Sequence, residues 1–183
     1  MPVSVIPFSM PEPMEIPDHI VDMLRQMPPD QAVEKAMELL LEIDVAEAMV
    51  FERNDTDGYL ALAAVIAADG DRKARLEQLL RQGGGPGLAE SAQEQRSALL
   101  VMGQVDGNEK TLPAGLESYL LAGGNEGDIG FLYVLSLAAK DTSDLGVLTL
   151  IRPPAAGPLN HEQPNITERV RQVLCEVLKS SPQ

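Results

Sequence analysis

The chain has 183 residues, a net charge of −14, one cysteine and six aromatic residues, none of them tryptophan. That length is enough to bury a core without disulfide or metal, and the lone Cys175 cannot form an internal disulfide. The acidic balance repels nucleic-acid phosphate and anionic lipid, no apolar run reaches the roughly 20 residues that span a bilayer, and Met1 to Ile20, without lysine or arginine and broken by prolines, does not read as a signal peptide, so a cytoplasmic location is expected with neither nucleic acid nor membrane as partner.

Residues 1–17 carry Pro2, Pro7, Pro11, Pro13 and Pro17, which exclude a helix or a central strand. They are expected to form an extended arm before a single domain over 18–179, with 180–183 as a tail. A short helix is predicted from Asp18, with Ile20, Val21, Leu24 and Met27 on one face and Pro28-Pro29 as its stop. Asp30 then opens a second helix whose Val33, Ala36, Met37, Leu40 and Leu41 recur at helical spacing. Residues 46–52 and 59–67 are predicted strands joined by Asn54-Asp55-Thr56-Asp57-Gly58, a turn ending in the Asp-Gly pair that favours hairpins.

Residues 71–82 predict a charged amphipathic helix ended by the glycine-rich 83–87, followed by a second helix from 88 to about 99. Residues 100–102 predict a brief strand, 106–111 a polar loop, and 112–121 a short helix or irregular segment. The apolar runs 131–139 and 145–151, flanking a polar turn at 141–144, predict a central antiparallel hairpin, and 165–179 an amphipathic closing helix. On that helix Ile166, Val170, Val173, Leu174, Val177 and Leu178 form a stripe wide enough for both a core and a second copy, so a homodimer through the terminal helices is expected. Gly146, inside the last strand, is expected where that strand passes close under neighbouring backbone.

Charge and chemistry are unevenly placed. Residues 1–60 hold 13 Asp or Glu against Arg25, Lys35 and Arg53, and seven of the eight methionines lie before residue 50. A solvated acidic face over a methionine-filled core accounts for this better than a partner groove. His19 and His161 stand at opposite ends of the domain, so neither a zinc nor a haem site is expected. Residues 83–87 lack the lysine and Ser/Thr of a phosphate loop. Cys175, among Val173, Leu174, Val177 and Leu178, reads as a structural thiol. With no nucleophile, acid/base pair or metal set in evidence, no catalytic residue is assigned.

Four segments resemble a GAF domain: the first hairpin with Asp57-Gly58; Gly84-Gly85-Pro86-Gly87-Leu88-Ala89 before a connecting helix; Leu112-Pro113-Ala114-Gly115-Leu116-Glu117-Ser118-Tyr119-Leu120; and Leu145-Gly146-Val147-Leu148-Thr149-Leu150. The resemblance covers residues 30–178. It implies an α+β fold, GAF/PAS-like, with a central antiparallel sheet of five or six strands, helices on one face and a covering connection on the other. It further implies a non-enzymatic sensory or regulatory module that holds a small molecule beneath the connection over residues 84–124 and signals through its terminal helices.

Candidate ligand-binding residues on that view are Arg96, Glu117, Ser118, Tyr119 and Tyr133, with Arg96 the cation able to clamp a carboxylate or phosphate. A small polar or anionic metabolite is the expected ligand, because few aromatics are present to cage a base. The residues of cyclic-nucleotide-binding GAF domains are not recognisable, and neither the several cysteines of GAF-type methionine sulfoxide reductases nor a bilin-attaching cysteine in the body is present. The cofactor is left unnamed. The competing reading is an interaction or dimerisation module whose pocket is filled by its own side chains.

Overall fold

The apolar runs of the sequence become strands of a single antiparallel sheet. The computed structural model describes residues 3–55, 57–82, 87–96, 98–104, 116, 119, 128–138 and 143–179. Its strands are β1 (Ser4–Phe8), β2 (Ala48–Asn54), β3 (Leu60–Ala67), β4 (Ala98–Gln104), β5 (Asp128–Ala138) and β6 (Asp144–Arg152), arranged in the order β1-β4-β5-β6-β2-β3. β5 and β6 read as near-continuous apolar runs because both faces of the sheet are covered. Tyr133, Leu135, Leu137, Leu148 and Leu150 enter one core, while Leu132, Val134, Val147 and Ile151 enter the other.

The first core lies under three helices, α1 (Asp18–Gln26), α2 (Pro29–Glu42) and α5 (Gln163–Lys179). Their apolar stripes meet there: Val21 and Leu24 from α1, Ala36, Met37 and Leu40 from α2, Val173 and Leu174 from α5. Val170, Val173, Leu174, Val177 and Leu178 are buried within this one protomer and Ile166 is partly buried, so the stripe serves the core. The opposite face is covered by α3 (Gly70–Gln82) packed on β3 and by α4 (Leu88–Gln95) packed on β5 and β6.

Two boundaries differ from the sequence expectation. α4 stops at Gln95 instead of running to about residue 99, because Arg96 takes a left-handed conformation (φ 52°, ψ 39°) and its N–H bonds to the carbonyls of Ala92 and Gln93. The freed residues then pair: Leu99, Leu100 and Val101 lie opposite Val134, Tyr133 and Leu132, giving a seven-residue β4 where a three-residue strand was expected. Pairing of both strand edges outweighs the helical pattern of a short apolar run. Within the proline-rich arm, Ser4–Phe8 adds β1 to the sheet edge, where Pro7 is tolerated. The arm is fastened to the start of α5 by Met14 N–H donating to the Asn165 carbonyl (3.0 Å) and Asn165 Nδ2 donating to the Glu12 carbonyl (2.9 Å).

Gly146 sits where β6 meets a register shift in the β2–β3 ladder between Phe51 and Glu52. A Cβ there would stand 2.6 Å from the Glu52 carbonyl oxygen and 2.9 Å from Phe51 Cε1, so only glycine fits without displacement. The buried Arg152 holds the neighbouring corner together. Its guanidinium donates to the carbonyls of Asp44, Val45, Ala156 and Gly157 at 2.7 to 3.3 Å, tying the α2–β2 turn to the loop after β6. Burial lowers its affinity for its proton, and the four carbonyl bonds satisfy it within the fold.

Candidate functional site

The sheet face beneath α4 carries a set of polar groups in an otherwise apolar core. β2 contributes Glu52, two residues on from Val50 on the same face, and β6 contributes Thr149, directly opposite Val50 and 1% exposed. Tyr119, buried and helical in the covering connection, hydrogen-bonds the Thr149 side chain. α4 supplies Glu90, whose Oε2 accepts the Gly87 N–H at 2.7 Å at the start of the helix, and Gln93, 9% exposed. Gln93 and Asn54 exchange side-chain amide bonds at 2.7 and 3.3 Å, pinning α4 to the end of β2.

The electrostatics follow from this crowding. Burial, reinforced by the nearby Glu90 carboxylate, pushes the Glu52 carboxyl up to about 7. Burial also raises the Tyr119 phenol; Glu52 and Glu90 add to that, and the Thr149 hydrogen bond opposes it. At neutral pH Glu52 is therefore divided between acid and carboxylate, able to donate in one form and accept in the other. A carboxyl, a phenol, a threonine hydroxyl and an amide pair are thus gathered on one buried face of the sheet.

A second recess lies at the β1 edge on the α5 side of the sheet. It spans about 290 Å³ against Phe8, Ala98 and Leu135, with Ser9, Arg96, Ser136 and Arg171 as polar lining. Arg171 donates from Nε and Nη2 to Glu168 at 2.7 and 2.6 Å. Its Nη1 makes longer contacts, 3.4 Å to the Ser136 carbonyl and 4.0 Å to Cys175 Sγ. The Glu168 hydrogen bonds raise Arg171 further above the ordinary guanidinium range. The Cys175 thiol is pushed up mainly by burial, as befits a structural cysteine.

No family model matches the sequence. No curated protein matches it either. Solved structures do resemble its fold. A segment of a methyl-accepting chemotaxis protein superposes with a TM-score of 0.62 at 13% identity, covering 87% of this chain and 94% of that one. A GAF domain/HD domain protein from Geobacter sulfurreducens gives 0.59 at 13% identity, over 87% and 94%. A far-red absorbing dark-state structure with bound biliverdin IXa gives 0.53 at 12% identity, over 88% and 96%. The chain has the fold of a GAF domain.

In this GAF fold the residues singled out from sequence are divided between the two faces. Tyr119 lies among the buried polar groups under α4. Tyr133 faces the other core, where its ring meets Phe8 edge to face at 5.0 Å and its hydroxyl accepts the Leu159 N–H at 3.0 Å. Arg96 is exposed and lines the recess on the α5 side, so it does not share a site with Tyr119. Glu117 and Ser118 lie outside the described residues.

Glu52, Glu90, Gln93, Asn54 and Thr149 escaped sequence reasoning. Two signals for them existed: a lone threonine inside the apolar run of β6, and a glutamate ending the apolar run of β2. Among the described residues no group of His, Cys, Asp or Glu is placed to hold a metal, and no helix is long and apolar enough to cross a membrane.

Proposed function

We propose that this chain is a non-catalytic, cytoplasmic sensory or regulatory GAF-fold module that binds a small polar metabolite in the cleft between the sheet and α4, and that passes its state through the terminal helices. The observation that carries the reading is the grouping of Glu52, Glu90, Tyr119 and Thr149 beneath α4, with Glu52 held near neutrality. Buried polar groups of this kind are costly to a fold unless they are satisfied, and a ligand bearing hydroxyl or amino groups satisfies them. Glu117 and Ser118, adjacent to Tyr119 in sequence, belong to the same binding segment in this reading.

Binding works by selecting between two arrangements of the cover. In one, Tyr119 bonds Thr149 and α4 is seated through the Asn54–Gln93 amide pair. In the other, the ligand takes the place of the Tyr119–Thr149 bond. Only a difference in affinity between the two shifts their populations. A homodimer through the terminal helices is part of this reading, and it uses residues outside the buried stripe of α5.

A panel of polar metabolites read by thermal shift tests the proposal, since a ligand that binds the folded state raises its melting temperature. At least one amino- or hydroxyl-bearing compound is expected to raise it in a saturable way, and the double variant Tyr119→Phe, Thr149→Val to lose that response while remaining folded. No shift across the panel, or an equal shift in the double variant, would overturn it.

A further inference from the structure

We propose that the outer edge of β3 is a docking edge for a partner protein: an extended segment with an acidic residue at every second position adds there as a further strand, its acids meeting the basic helix α3. The edge itself is the first observation. β3 ends the sheet opposite β1, and its eight residues, Leu60–Ala67, include no charge and no proline. Only Val65 among them is buried, while Ala61 and Ala63 are exposed. An outer strand presents unpaired N–H and C=O groups, and folds usually blunt it with proline, charge or shortness. The opposite edge is blunted in that way, for β1 has five residues and contains Pro7. β3 has one irregularity, a bulge at Ala63, because Phe51 pairs with Ala64 and Glu52 with Leu62. Residues 64–67 remain a regular ladder that leads directly into α3.

The second observation is charge. α3 packs on β3 and carries Arg72, Lys73, Arg75 and Arg81 against Asp71 and Glu77, so four of the chain's 14 lysines and arginines stand in one helix of 13 residues. Arg72 is buried and pairs with Glu47, and Lys73 reaches Glu77 at 3.9 Å. Arg75 and Arg81 are exposed, and no carboxylate among the described residues engages either. Arg75 stands close enough to Arg72 to act with burial in weakening that guanidinium's hold on its proton. Elsewhere the surface is acidic: Asp18, Asp22, Glu34, Glu38 and Glu42 are exposed on α1 and α2. An acidic partner is repelled there and received at α3, where guanidinium forks match carboxylates.

The same charges decide against a second copy as the occupant. Pairing β3 with β3 about a twofold axis brings two α3 helices to one seam, each with Lys73, Arg75 and Arg81 exposed, and like charges so placed oppose the contact. An acidic strand meets that helix with opposite charge. In strand addition the main-chain hydrogen bonds supply affinity, and every second side chain supplies specificity. The acids therefore fall on the positions facing α3, and uncharged β-branched residues suit the others. Glu52, Tyr119 and Thr149 take no part in this edge.

The test titrates an acetylated and amidated octapeptide, glutamate alternating with threonine, into the full chain labelled with ¹⁵N. Saturable shifts and added hydrogen-exchange protection are expected in residues 60–67, with affinity that falls as salt rises and exceeds that of the glutamine-for-glutamate peptide at least tenfold. The same peptide N-methylated at alternate backbone nitrogens should bind at least tenfold more weakly, because its strand edge is blocked. The double variant Arg75→Gln, Arg81→Gln changes exposed positions only, so its melting temperature should match the wild type while peptide affinity falls at least tenfold. Ala63→Glu, which sets an acid on the edge itself, should weaken the glutamate peptide in the same direction. Equal binding of the glutamate and glutamine peptides, full affinity of the N-methylated peptide, or unchanged affinity in the arginine double variant would each overturn the proposal. Sedimentation showing a wild-type dimer that Ala63→Glu dissociates would overturn it too, because a second copy would then hold the edge. The Glu52 and Thr149 resonances report the metabolite site separately, so failure here is distinguishable from failure there.

Discussion

Glu52 is the residue on which the chemistry of the cleft turns. Its carboxyl titrates near 7 when folded and near 4.5 in the ordinary range, so between those values the folded state holds a proton that the unfolded state has released. Its contribution to stability is therefore fully present below about pH 4.5 and is lost as pH rises through 7. At about 1.4 kcal/mol per pH unit, this contribution amounts to roughly 3 kcal/mol at most. Glu52→Gln should remove the dependence, so the variant gains on the wild type as pH rises and leads it by roughly 3 kcal/mol at pH 8. Urea denaturation at several pH values checks this, and parallel pH profiles for the two proteins would contradict it.

Gly146 is the second decisive residue. Because a Cβ there would strike the Glu52 carbonyl and the Phe51 ring, Gly146→Val should cost on the order of 1–3 kcal/mol through overpacking. It should also displace the strand that carries Glu52. An unchanged denaturation midpoint would contradict the placement. Gly146 was legible in sequence because a glycine inside a strand implies close backbone approach. Glu52 was not, since nothing in linear spacing brings residue 52 beside residue 149; that neighbourhood is created by β2 pairing with β6 across most of the domain.

Among the elements, the hairpin of β5 and β6 was the most readable, because strands buried on both faces leave long uninterrupted apolar runs. The end of α4 was the least readable. Residues 96–101 suit a helix as well as a strand, and the choice is made by β1 and β5 offering paired edges on either side of β4. The α5 stripe was legible as apolar, and its residues pack into the core. Val170→Glu places a charge in a position only 4% exposed, within the core under α1, α2 and α5. It should cost about 3 kcal/mol or more and abolish cooperative unfolding, instead of merely separating subunits. A circular-dichroism melt checks this, and a variant melting like the wild type would contradict it.

The whole molecule places the polar groups under α4 and the recess lined by Arg96 on opposite faces of one sheet. Arg96 and Tyr119 are drawn together by sequence reasoning because both fall in the connection expected to cover the sheet. The fold separates them: Tyr119 joins the core under α4, while Arg96, which ends that helix, lines the recess on the α5 side. α4 is held to the end of β2 by the Asn54–Gln93 amide pair, and Tyr119 is tied to β6 by its hydrogen bond to Thr149.

The central claim, that the cleft beneath α4 receives the ligand, is tested most directly by ¹³C NMR of the Glu52 carboxyl. Its titration is followed with and without the metabolite that raises the melting temperature most. The account predicts a midpoint near 7 in the free protein that moves by at least half a pH unit when ligand saturates. A midpoint in the ordinary glutamate range, or one that stays fixed at saturation, would contradict it.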